Sequence, residues 1–104
     1  MRTRDVLAAV VLLQERHALL AKKCKDKQGS LFDPTPKQIE REAWLREITS
    51  HVEGMGEKIR TLERAVVATA AAGKFNLADF ERMHWKIEKK FSNLEEQIDL
   101  LDRF

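Results

Sequence analysis

LERAVVATAAAGKFNLADFERMHWKI, residues 62–87, decides the fold. Before Gly73 the seam positions are Leu62, Val66 and Thr69; after Asn76 they are Leu77, Phe80, His84 and Ile87. Spacings that alternate between three and four are the period of a helix that buries one face. Between the two runs stand the punctuation marks of a tight helical turn. Gly73 is a natural stop, because only glycine enters the left-handed region freely. Asn76 is a natural N-cap, and Phe75 and Phe80 take the two positions of a hydrophobic staple across it. So short a connection between two long helices forces them to fold back on each other as an antiparallel hairpin.

The first helix of that hairpin extends backwards through Leu45, Ile48, Val52, Met55 and Ile59. Its start is explicit: Thr35 caps, Pro36 suits the first helical position, and Gln38 completes a capping box. Gly54 and Gly56 lie inside it and each cost about 1 kcal/mol relative to alanine. The seam keeps its phase across them, so one continuous helix over 36–72 is expected, a kink at this Gly-Met-Gly site being the alternative. The second helix continues through Phe91, Leu94, Ile98 and Leu101 and is expected over 77–103.

Upstream, an N-terminal helix is expected over 3–24, with a seam of Val6, Val10, Leu13, His17, Leu20 and Cys24. Leu7, Val11, Leu12 and Leu19 fall off that seam. A helix apolar on several sides calls for neighbours on several sides, so it is expected to be sandwiched. The sequence therefore predicts an all-α, bundle or coiled-coil-like fold of three long helices. Its 104 residues form one domain, 1–104, with a connecting loop at 26–35. At 1.5 Å per residue the middle helix alone runs to roughly 55 Å. Elongated hairpins with apolar flanks bury them by self-association, and a homo-oligomer, a dimer first, is expected.

Composition agrees: 43% hydrophobic and 35% charged residues, no Tyr, four Gly and two Pro favour helix throughout. The net charge of +2 is too small to imply a polyanion partner by itself. Residues 1–30, however, carry seven basic and three acidic side chains. The excess peaks at Lys22, Lys23, Lys25 and Lys27, which suits either a nucleic-acid contact or the negative end of a helix dipole. One cysteine permits no internal disulfide, and Cys24 on the seam reads as a small buried hydrophobe more simply than as a reactive thiol. The apolar run from Val6 to Leu13 is too short for a membrane span and lacks a cleavage site, so a cytoplasmic location is the expectation and no membrane partner is.

Catalytic signatures are missing: the sequence contains no glycine-rich phosphate loop, nucleophile elbow or Cys/His metal spacing. Neither enzymatic activity nor a cofactor is expected. One arrangement bears on metal. Glu81 and His84 have the E-x-x-H spacing that carboxylate diiron bundles use, with Glu63 as an additional ligand and a second copy supplying the other half. The plainer reading makes His84 a polar core residue that fixes register, as His17 is in the first helix. His51, beside Val52, founds no second cluster. Trp85 points away from the hairpin seam, and either the first helix or a partner protein must cover it.

Finally, Gln28-Gly29-Ser30-Leu31-Phe32 resembles the pentapeptide by which bacterial proteins bind the DNA polymerase sliding clamp. The resemblance covers these five residues, with Gly29 where the motif often has Leu. It implies a role in DNA replication, with Leu31 and Phe32 as apolar anchors and Gln28 as the polar determinant. Packing offers an alternative: Leu31 and Phe32 plug the open end of the bundle. The function that fits best is a non-catalytic helical protein–protein interaction module: an adaptor, inhibitor or assembly factor.

Overall fold

A computed structural model describes residues 1–29 and 35–103. A single 3-10 turn, Thr3–Asp5, leads into α1 (Val6–Lys27), followed by α2 (Pro36–Ala71) and α3 (Leu77–Leu101). The all-α expectation holds, and each boundary has a local cause. At the start of α2 the Thr35 hydroxyl accepts from the Gln38 amide (3.2 Å), while the Thr35 amide donates to Gln38 Oε1 (2.8 Å). The α2–α3 turn forms as its residues dictate. Gly73 has φ of +68°, Lys74 N donates to Thr69 O and Gly73 N to Ala70 O, the paired bonds of a Schellman stop. Asn76 Oδ1 then accepts from Asp79 N, and the Phe75 and Phe80 rings meet at 6.2 Å.

Four boundaries differ from expectation, the smallest difference being α2, which ends at Ala71 instead of residue 72. The N-terminal helix starts at Val6 instead of residue 3 and runs on to Lys27 instead of stopping at 24. Nothing breaks the helix before Gly29, and Lys25 and Lys27 in its last turn complement the dipole there. At the other end α3 stops at Leu101, two residues early.

Interhelical contacts fix the directions. Arg16 pairs with Glu95 (2.8 Å) and Lys27 with Asp102 (2.6 Å), so α1 runs parallel to α3. Gln14 bonds Glu63, and His17 reaches Val52, so α1 is antiparallel to α2. The seams of all three helices merge into one core in which Ile48, Phe91 and Leu94 are fully enclosed. The body measures 59 × 19 × 16 Å with a radius of gyration of 16.9 Å. A compact chain of this length would have about 13 Å. The bundle is a rod, and a rod leaves long helix flanks open to solvent.

α2 passes unbroken through Gly54 and Gly56. Gly56 is buried because the His17 imidazole lies against it: a Cβ there would stand 2.9 Å from Cε1 and Nε2 of that ring. Since the Val52 carbonyl can only accept, His17 Nε2 carries the proton and donates to it at 2.9 Å. The ring also faces Phe91 at 6.5 Å, so His17 joins all three helices at one level. Gly54 has nothing within 4 Å of its Cβ position, and no contact explains it.

Candidate functional site

α1 packs its seam inward and leaves the rest uncovered. Val6, Val10, Leu13, Leu20 and Cys24 are at most 3% exposed. Leu7, Val11, Leu12 and Leu19 are 49–65% exposed. With 100° between successive residues, these four lie on the side of the helix opposite its seam. The expected sandwich is therefore not made within one chain: the hairpin covers one face of α1 only. Four large aliphatic side chains within four turns form more than the scattered surface leucine that any protein shows. The apolar surface continues onto α2, where Val67 is 57% exposed and, with Leu7, Ala70 and Phe75, lines a shallow cavity of about 330 Å³. Val67 was not legible as a surface residue, because it neighbours the seam residue Val66. The Val66-Val67 doublet was the only hint.

The other candidate residues do not converge on one place. Trp85 is 59% exposed; α1 does not cover it, and Lys89 Nζ sits 5.0 Å over its ring. The four lysines near the end of α1 are splayed around that helix. Lys27 is held by Asp102, while Lys22 and Lys23 border a crevice that also contains Asp26 and Glu95. They do not make a single cationic surface. Lys27 also holds the Asp102 carboxyl below the usual carboxylate range, by hydrogen bonding first and charge second.

Glu81 faces the N-terminal ammonium at 3.4 Å. His84 stacks on Phe80 and places Nδ1 2.9 Å from Glu88 Oε1. Glu63 bonds Gln14 of α1 instead of turning towards Glu81 and His84. Among the described residues no three His, Cys, Asp or Glu side chains gather into a metal-holding group. A diiron site would thus draw its remaining ligands from a second copy. Cys24 is buried, and desolvation pushes its thiol up, with the Thr49 side chain acting the other way. A raised thiol pKa means less thiolate, which is the opposite of activation.

Of residues 28–32, which resemble the sliding-clamp motif, Gln28 is exposed and extended (φ −68°, ψ 123°) directly after α1 ends. Leu31 and Phe32 lie outside the described residues. No described helix is long and apolar enough to cross a membrane. Neither a family model, nor a curated protein, nor a solved structure matches this chain.

Proposed function

We propose that this chain is a non-catalytic helical interaction module that pairs with a second copy through the outer face of α1. The observation that carries the reading is the 49–65% exposure of Leu7, Val11, Leu12 and Leu19 on one helix. Burying the open half of such a side chain returns about 1 kcal/mol. Four on each of two copies offer roughly 8 kcal/mol, before the cost of immobilising one molecule on another. That figure is a micromolar ceiling on the affinity, which an association cost of about 4 kcal/mol or more lowers towards millimolar, in a dimer whose two-fold axis sets the same face against itself.

Sedimentation across about 10 μM to about 2 mM tests this. The expected result is a monomer–dimer equilibrium that Leu12→Glu with Leu19→Glu abolishes while helical circular dichroism is retained. A chain that stays monomeric throughout, or a dimer indifferent to both glutamates, sinks the reading. Gln28, exposed and extended beyond α1, supports a second role for the dimer: presenting the 28–32 segment to the sliding clamp.

A further inference from the structure

We propose that the seam between α2 and α3, on the side away from α1, binds an acidic amphipathic helix of a partner protein. A two-helix hairpin has two long seams. α1 occupies one of them, along the flank of α2 that presents Glu63, Gly56 and Val52. The other flank opens into a groove of about 430 Å³. Its floor is apolar: Met55 and Ile87 are buried core residues, and Met83 beside them is 41% exposed. Methionine is the side chain that best adapts to a variable apolar guest.

The rim is cationic. Lys58 from α2 and Lys86 and Lys90 from α3 border the groove, and none of them pairs with a described carboxylate. Glu57, the one acid at the rim, is engaged by Arg60. Three unmatched ammonium groups therefore surround an apolar trough, in a chain whose total charge is only +2. A guest that meets both features has an apolar stripe flanked by carboxylates. Laid along a straight seam between two antiparallel helices, it is most simply a helix, and it would complete a four-helix bundle. A second copy of this chain does not fit: the apolar outer face of α1 has Glu15 as its acid but also Lys22, and is not an acidic stripe.

The inference rests on the reading of the chain as an interaction module but uses another surface. Loss of self-pairing, as in Leu12→Glu with Leu19→Glu, would leave it standing. The test uses the full chain and a fluorescein-labelled designed helix of about 20 residues, long enough to run ~30 Å along the seam. This probe carries leucines on one face and glutamates beside them; a second probe has glutamine in place of every glutamate. Anisotropy should show the acidic probe binding at least about tenfold more tightly, with the gap shrinking as salt screens it. Lys58→Glu, Lys86→Glu and Lys90→Glu together should reverse the preference. Met83→Glu alone should weaken both probes, with circular dichroism reporting that each variant is folded. Equal binding of the two probes, binding of neither, or an acidic-probe affinity unmoved by the lysine reversals overturns the proposal. So does tighter binding of a single-stranded oligonucleotide than of the acidic probe, which would assign the lysines to nucleic acid.

Discussion

Replacing Gly56 by alanine should fail to stabilise the protein, while the same change two residues earlier, at Gly54, should stabilise it. On helix propensity alone both substitutions gain about 1 kcal/mol. Gly54 has no atom within 4 Å of the new methyl, so it should realise that gain. At Gly56 the methyl would stand 2.9 Å from two atoms of the His17 ring, where ordinary contact begins at 3.4 Å. Either the methyl crowds a packed site, at about 1–3 kcal/mol, or the ring withdraws. Withdrawal breaks its 2.9 Å bond to the Val52 carbonyl, which is worth about 0.5–1.5 kcal/mol. Set against the propensity gain of about 1 kcal/mol, the outcome runs from about nil, where the ring withdraws, to a net loss of about 2 kcal/mol, where it stays.

For a domain of this size 1 kcal/mol moves Tm by roughly 4–8 °C. Gly54→Ala should therefore raise Tm by that amount, while Gly56→Ala should leave it unchanged or lower it by up to about twice as much. Melts followed by circular dichroism at one fixed protein concentration suffice, since any self-association would make Tm depend on concentration. The decisive arm is the double variant. In a His17→Ala background the obstacle is gone, and Gly56→Ala should become stabilising. If Gly56→Ala raises Tm in the parent chain, or if its effect keeps its sign without His17, the seating of His17 on α2 is wrong.

Three further expectations concern other parts of the chain. Desolvation holds the Cys24 thiol above its ordinary pKa, so the native state favours the protonated form. Its contribution to stability is complete below the unfolded pKa and is lost as pH rises through the folded one. Alkylation of Cys24 should accordingly be slow in the folded protein and accelerate only with unfolding; rapid modification of native protein contradicts its burial. The Asp102 carboxyl is shifted the other way. The Lys27–Asp102 contact should persist above the unfolded carboxyl pKa and be lost as pH falls through the lower folded value, and Asp102→Asn should remove that acid-side dependence from the melting profile. Leu31→Ala with Phe32→Ala separates two roles for the loop: lost retention on immobilised sliding clamp at unchanged Tm supports docking, whereas a fall in Tm makes the pair structural.

What could be read in the sequence was whatever is settled within a turn or two of helix. The Thr35 capping box, the Gly73 stop and the Asn76 cap are local chemistry, and each forms as its residues require. The seams of α2 and α3 were equally legible, since burial of one face imprints a period on the residues. The inner seam of α1 was legible in the same way; what was not is that its outer face stays uncovered, because period alone cannot say whether a helix apolar on both sides meets a second neighbour. Nor could composition show that Lys22, Lys23, Lys25 and Lys27 spread around the helix while Lys58, Lys86 and Lys90 meet. The first set is adjacent in sequence and divergent in space; the second comes from two helices and converges only once their register is fixed. Gly56 shows the same limit. On propensity it is a defect, and only the position of His17 on another helix makes it a requirement.

The two open surfaces have one origin. Three helices in a rod 59 Å long and under 20 Å across cannot each bury more than one broad face. The energy available from what remains differs in kind between the two sides. On α1 it is aliphatic and non-directional, which suits a symmetric contact that tolerates small rotations of one helix over another. On the α2–α3 seam it is a narrow apolar floor between like charges, which would disfavour a second cationic rim and favour a guest of opposite sign. A chain with only the first surface would pair with itself and stop. With only the second it would bind its guest one to one. Carrying both on opposite sides of a thin bundle, a dimer formed through α1 as proposed would present its two lysine-rimmed seams outward, and a partner with two acidic helices would then be held by avidity that neither seam supplies alone.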